Sequence, residues 1–208
     1  MAGVRQAQPG DRAALTVHVA AAFARDPAWA FLLGSDYDRL APEFAGALFD
    51  TRVSSGRVWV AHDLAAVAMW DRLGHDGEST GRSGDIWKAY RAVAGEPVWA
   101  RLCEYERAID AARPGPPYWY LGVLATRPDR QGEGLATAVM APVLERADLD
   151  GVDCCLETST TQNKKFYERR GFTESTDVHI ASGPPTWWLR RSPPGPFSAP
   201  VGPAHGDT

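Results

Sequence analysis

The 208-residue chain has little cysteine, no long apolar run and no excess of positive charge, and each shortage closes off a class of protein. Its three cysteines are an odd number, and Cys154 and Cys155 are adjacent inside an apolar segment, so neither a disulfide framework nor a Cys-x-x-Cys zinc site is available. Buried thiols are the expected role. The five histidines, His18, His62, His75, His179 and His205, lie too far apart for a local metal motif, and no metal is expected. The longest uninterrupted apolar run, residues 64–70, is well short of the roughly 18 residues that a membrane-spanning helix needs. No basic region followed by an apolar core and a small-residue cleavage site opens the chain, which argues against secretion by that route. The expectation is a cytoplasmic protein with no membrane partner. With 22 basic and 26 acidic residues the formal charge is −4, which argues against a nucleic-acid partner held by a general basic field.

What is present is the material of one globular domain. Hydrophobic residues make up 44% of the chain and aromatic ones 10%, enough to bury a core. Residues 1–191 read as a single domain, and 192–208, mostly Pro, Gly, Ala and Ser without periodicity, as a disordered tail. Segments 4–8, 57–62, 65–73, 118–126, 152–159, 172–180 and 186–190 read as strands. Val58, Val60, Val67 and Met69 fit a period of two on either side of Asp63-Leu64, which predicts a hairpin. A helix is expected from a cap at Asp11 to about residue 24, where Asp26-Pro27 breaks it. Others are expected over 29–33, over 38–52 with Leu40, Phe44, Leu48 and Phe49 on one stripe, and over 85–112, split by Pro97. Two more span 132–147 and 161–170, the last closed by Gly171. The polar, glycine-rich segment 74–84 reads as a loop. The class is mixed α/β.

The stretch Gln131-Gly132-Glu133-Gly134-Leu135-Ala136 follows a strand and opens a helix. Backbone N–H groups converge at such a start, the helix dipole favours an anion there, and glycines let a bulky pyrophosphate approach the main chain. Thr137 stands where the dinucleotide fingerprint has Gly or Ala, and the Gly-Lys-Ser/Thr of a P-loop is absent, so those two families are disfavoured. An ordinary glycine-rich turn is the alternative. Asn163, the only asparagine, lies four residues before Tyr167, so both face one side of their helix. Tyr167 alone reads more readily as a half-buried core aromatic, and the surrounding motif reverses that reading. Glu157 lies between Leu156 and Thr158 in an apolar strand, where burial without a partner or a use costs on the order of several kcal/mol. That marks it as a candidate base, the alternative being a carboxylate satisfied by neighbouring hydroxyls.

Taken together, Gln131-x-x-Gly134-x-Ala136 and the run Asn163-Lys164-Lys165-Phe166-Tyr167-Glu168-Arg169-Arg170-Gly171-Phe172 resemble the acetyl-CoA site of the Gcn5-related N-acetyltransferase (GNAT) superfamily. Trp119-Tyr120-Leu121, Pro128-Asp129, Leu156-Glu157-Thr158-Ser159 and Pro185-Thr186-Trp187 resemble its puromycin N-acetyltransferase branch. The likeness spans most of residues 1–191, with the specific motifs after Tyr118. Segments 74–84 and 85–112 differ most from that branch, which points to an acceptor other than puromycin. The resemblance implies a GNAT-type twisted mixed sheet of about seven strands with helices on both faces. In it strands 118–126 and 152–159 splay apart to admit acetyl-CoA. It further implies that backbone groups of Leu124 and Thr126 hold the acetyl carbonyl and pantetheine arm, and that the amides of Gln131, Gly132, Glu133, Gly134, Leu135, Ala136 and Thr137 hold the pyrophosphate. Asn163 would contact the pantetheine arm, and Tyr167 would lie near the thioester sulfur.

The reaction so implied is direct attack of a neutral amine on the thioester within a ternary complex. An α-amine, with a pKa of about 8, gives up its proton more easily than a lysine near about 10.4. Tyr167 is the expected general acid and Glu157 the expected base or amine-orienting group, with Asp71 and His179 in reserve. Trp29, Trp70, Tyr105, Trp119 and Tyr120, with Asp71, are expected to border the acceptor, which would suit an aromatic or nucleoside-like amine. The expected function is acetyl-CoA-dependent N-acetylation of a small molecule, an antibiotic or a biosynthetic intermediate, in a monomer or homodimer. A peptide or protein acceptor, and a catalytically silent CoA-binding sensor, are the alternatives.

Overall fold

The computed structural model describes residues 3–61, 63–74 and 84–195. Strands β1 (Val4–Gln6), β2 (Val58–Ala61), β3 (Ala66–Leu73), β4 (Tyr118–Thr126), β5 (Asp153–Thr158), β6 (Glu174–Val178) and β7 (Thr186–Arg191) form one seven-stranded sheet in the order β1-β2-β3-β4-β5-β7-β6. Every neighbouring pair is antiparallel except β4 and β5, which are parallel. Helices α1 (Arg12–Ala22), α2 (Pro27–Leu33), α3 (Tyr37–Val53), α4 (Asp85–Ala94) and α5 (Glu96–Ala112) build the core on one face. Helices α6 (Leu135–Asp150) and α7 (Thr161–Glu168) build it on the other. The expected mixed α/β class, the hairpin of β2 and β3, and helices on both faces are all present.

The starts and stops of these elements have local causes. Asp26, expected only to break a helix, begins α2: its Oδ1 accepts the N–H groups of Ala28 at 2.9 Å and Trp29 at 3.0 Å, and Pro27 fills the first turn. Asp11 does not cap α1 with its side chain. Its carboxylate accepts from the Gln8 N–H at 2.8 Å and pairs with Arg5 at 2.7 Å, tying β1 to the first turn. The break between α4 and α5 falls at Gly95, with φ of 80°, while Pro97 sits in the first turn of α5, where its missing N–H is no loss. Helix α6 begins at Leu135 rather than residue 132, because Gly132 and Gly134 hold left-handed φ values of 86° and 79°. His62, most of the expected loop 74–84 (residues 75–83) and the tail from 196 lie outside the described residues, and 192–195 carry no regular structure.

Two irregularities position the site. First, the register of β4 and β5 is short: Tyr118 pairs with Asp153, Trp119 with Cys154 and Tyr120 with Cys155. Beyond that point residues 121–126 ladder with β3 and residues 156–158 with β7, but not with each other, so the two strands part. Second, the β3–β4 register jumps from Met69 opposite Val123 to Trp70 opposite Leu121, leaving Gly122 as an extra residue. The bulge reverses the alternation of β4. Tyr118 and Tyr120 before it, and Val123 and Ala125 after it, belong to the first core, whereas Leu121 and Leu124 serve the second.

This alternation corrects two expectations. Trp70 is fully buried in the second core, and Trp119 packs against that core with the Arg72 guanidinium 5.3 Å from its ring centroid. Neither lines the cavity at the parting of β4 and β5, whereas their strand neighbours Asp71 and Tyr120 do. Trp70 is therefore a core residue. Trp70→Ala is expected to cost about 3–5 kcal/mol of stability by removing a buried indole, read as a lowered urea midpoint at unchanged slope.

Candidate active site

A cavity of about 380 Å³ lies where β4 and β5 part. Leu121, Gly122 and Leu124 of β4, Glu157 and Thr158 of β5, Ser159, and Asn163 and Tyr167 of α7 line it on that side. Opposite stands an aromatic wall from the first core. Phe23 stacks on Trp29 with centroids 4.5 Å apart, Trp29 meets Phe44 edge-on at 5.0 Å, and Phe44 tilts against Trp87 at 6.1 Å. All four rings line the cavity.

Glu157 is half-buried at the polar end. The Tyr120 hydroxyl donates to its carboxylate, 2.8 Å from Oε1 and 2.7 Å from Oε2. Tyr120 in turn stacks on Trp188 of β7, with centroids 5.8 Å apart and planes within 5°, and the Arg113 guanidinium lies 5.3 Å from its ring centroid. Tyr105, from α5, is hydrogen-bonded with Ser159, whose Oγ lies 2.9 Å from Thr186 Oγ1. Tyr167 is buried, with its ring edge-on to Phe166 and Phe172. Burial, reinforced by the Glu157 charge, pushes the Tyr105, Tyr120 and Tyr167 phenols above the usual tyrosine range.

Charge elsewhere in the cavity is matched. Asp71, a reserve base in the sequence, pairs with Arg52 at 2.5 Å, and Arg52 also donates to the Leu48 carbonyl at 2.8 Å. The Arg52 guanidinium rests on the bulge: a Cβ on Gly122 would stand 3.1 Å from its Nη2. His179 is not among the cavity residues. Glu157, Tyr167, Asn163, Leu124, Tyr120, Tyr105, Asp71 and Trp29 are thus brought together as expected, and Trp70 and Trp119 are not. Sequence reasoning missed Arg52, Arg113, Phe44, Trp87, Trp188 and the cavity-facing role of Asp26. Only Asp26 carried a local signal, as the cap before Pro27.

At the far end of β4, the Thr126 hydroxyl is buried with no partner. The loop that follows carries Gln131, Gly132, Glu133 and Gly134, all exposed, then Leu135, Ala136 and Thr137 in the first turn of α6. A Cβ on Gly132 or Gly134 would meet nothing within 4 Å, so the backbone stands open to a ligand. Arg130 pairs with Glu133 at 2.7 Å and Asp63 at 2.6 Å, fixing this loop to the β2–β3 turn. Arg170 donates to Thr137 Oγ1 at 2.6 Å and so holds a cation beside the helix start. The open loop, the dipole of α6 and the parted strand edges fit an elongated ligand with amides in the middle and phosphates at one end. The Cys154 and Cys155 thiols are buried and pushed up to about 12, so neither is a nucleophile. Among the described residues no cluster of His, Cys, Asp or Glu could hold a metal, and no helix is long and apolar enough to cross a membrane.

Residues 54–174, more than half of the chain, match the family described as acetyltransferase (GNAT) domain, and the chain belongs to that family. GNAT domains use acetyl-CoA as cosubstrate. An uncharacterised N-acetyltransferase of Schizosaccharomyces pombe is 23% identical, over 76% of this chain and 69% of its own length. Among solved structures, a Corynebacterium glutamicum protein described as histone acetyltransferase HPA2 and related acetyltransferase superposes with a TM-score of 0.57 at 22% identity, covering 93% of this chain and 97% of its own. A Drosophila melanogaster polyamine N-acetyltransferase that catalyses formation of N-acetylagmatine gives 0.60 at 16% identity, covering 91% and 99%. These likenesses show the fold.

The raised phenols make a pH signature. Tyr118 is pushed up to about 12, and Tyr105, Tyr120 and Tyr167 are also raised, by burial first. A group whose folded pKa lies above its unfolded value of about 10 stabilises the fold below that pH and loses the contribution as pH rises through the folded pKa. Stability is therefore expected to fall from about pH 10 upward. An ultraviolet titration should show these four phenols ionising only above the usual tyrosine range, together with unfolding. Ionisation of all six tyrosines near pH 10 in folded protein would contradict the buried site.

Proposed function

We propose that this chain is an acetyl-CoA-dependent N-acetyltransferase that acts on the amine of a small molecule, an antibiotic or a biosynthetic intermediate. The observation that carries the reading is the cavity itself, which joins an aromatic wall to Glu157, Asn163 and Tyr167 at the parting of β4 and β5. A volume of about 380 Å³ suits a small ligand more than an extended peptide. The motif likeness to the puromycin N-acetyltransferase branch at Trp119-Tyr120-Leu121 and Leu156-Glu157-Thr158-Ser159 supports the same acceptor class.

On this reading acetyl-CoA supplies an activated acyl group as a thioester. Its phosphates would meet the amides from Gln131 to Thr137, its pantetheine arm the β4 edge at Leu124 and Thr126 and the side chain of Asn163. The amine enters from the aromatic wall as an ammonium and passes a proton to Glu157, whose carboxylate faces the cavity. The nitrogen then attacks the acyl carbon, the N–C bond forms and the C–S bond breaks. Tyr167 donates its phenolic proton to the departing sulfur. Because burial raises that phenol, the proton stays on oxygen until sulfur leaves, and transfer is uphill by about 1.4 kcal/mol per pKa unit. It is therefore concerted with C–S cleavage; the second proton of the nitrogen, lost as the neutral amide forms, restores the phenol through solvent, and the first leaves Glu157 to solvent as product departs.

Thiol release from acetyl-CoA, measured over a panel of small aromatic amines, polyamines, nucleoside antibiotics and short peptides, tests the proposal. Strong turnover of a small amine is expected, with kcat lowered about 10-fold or more in Tyr167→Phe and in Glu157→Gln. Turnover confined to peptides would replace the acceptor class, and absence of acetyl-CoA binding would remove the function. On the donor side, Gly134→Val places a β-branched residue at a φ of 79° and is expected to weaken acetyl-CoA binding about 10-fold or more by calorimetry.

A further inference from the structure

We propose that Tyr120 is a positioning residue for Glu157: held by stacking on Trp188 and by the Arg113 guanidinium over its ring, its hydroxyl ties the carboxylate across the mouth of the parted strands and sets the direction in which it meets the amine. The inference rests on the reading of Glu157 as proton acceptor.

The backbone explains why a tie is needed there. Pairing of β4 with β5 ends at Tyr120 opposite Cys155, and Glu157 lies two residues further along β5, where β7 still flanks it through Trp188 and β4 no longer does. A glutamate beside an opening has rotatable torsions and no ladder on one side to limit them. The Tyr120 hydroxyl reaches back over the parting and lies almost equally far, 2.8 and 2.7 Å, from the two carboxylate oxygens. One donor shared so evenly fixes the tilt of the carboxylate as well as its place. A carboxylate offers about four lone-pair sites, so one so held can still accept from an ammonium in the cavity.

The donor is itself immobilised. Its ring lies parallel to the Trp188 indole, which is only 3% exposed, and the Tyr118 ring meets that indole edge-on at 6.2 Å. The Arg113 guanidinium also lies over the Tyr120 ring, anchored by Glu106 at 3.7 Å and by Asp110. A tyrosine that merely walled the acceptor would turn its hydroxyl to the cavity. Here the hydroxyl is committed to Glu157, and the proton stays on the phenol, because burial and the neighbouring carboxylate both disfavour ionisation. Tyr120 therefore orients the base without competing for the proton that the base must take.

The test is a double-mutant cycle of Tyr120→Phe and Glu157→Ala, assayed with acetyl-CoA and the amine of highest turnover in the panel above, with Tyr118→Phe as control. Tyr120→Phe keeps the ring stacking and removes only the hydroxyl. Its kcat is expected to fall about 10-fold while KM for acetyl-CoA stays within about 2-fold, and in the Glu157→Ala background the same substitution is expected to cost less than about 2-fold. Tyr118→Phe should leave both parameters unchanged. Losses that multiply in the double variant, or a Tyr120→Phe effect on acetyl-CoA KM alone, would overturn the positioning role and leave Glu157 standing. Undiminished turnover in Glu157→Ala, or no thiol release with any amine, would overturn the reading of Glu157 and this inference with it.

Discussion

The parting of β4 and β5 after Tyr120 and Cys155 is the constraint on which the rest of the site depends. Two adjacent parallel strands that stop pairing leave main-chain N–H and C=O groups on both inner edges, and such groups persist in a fold only where something else satisfies them. An extended ligand arm bearing amides of its own answers that need, and acetyl-CoA, the cosubstrate of the family to which this chain belongs, carries one. The same parting opens the cavity, brings α7 across the gap with Asn163 and Tyr167, and ends at the loop that starts α6. One interruption of a ladder thereby makes both an open main-chain edge and a cavity beside it.

Inside the chamber, desolvation governs the chemistry. Carboxylates there are each held in a defined way: Asp71 by Arg52, Glu106 by Arg113, Asp26 by the first amides of α2, and Glu157 by the Tyr120 hydroxyl. Three tyrosines face the same region and remain neutral because burial disfavours the phenolate. A low-dielectric site lined by neutral donors and fixed carboxylates strengthens whatever proton transfer occurs within it.

Much of this was legible in the chain, and the misses have physical causes. The strands of the hairpin, the glycine loop before α6 and the Asn163–Tyr167 face were local patterns, and they appear where the period and the spacing placed them. Trp70 and Trp119 were misplaced although the sequence held the correction. Trp70 alternates with Met69 and Trp119 with Tyr118 and Tyr120, and both indoles go to the second core. Arg52, Arg113, Phe44 and Trp87 were invisible for a different reason: they come from α3, α4 and the end of α5, and only the packing of those helices onto one face brings them to the cavity. Helix boundaries shifted where a glycine in the left-handed region, as at Gly95 and Gly134, outweighed a nearby proline or the apolar period.

The single extra residue at Gly122 acts as a phase shift in β4. On the face of the first core, the strand presents Tyr118 and Tyr120 from its first half and Val123 and Ala125 from its second, while Leu121 and Leu124 face the second core. The two halves are in this sense separate inheritances joined by a glycine. Side chains of the first half can therefore change with the helices they pack on, without disturbing the main chain of the second half, where β4 has left β5.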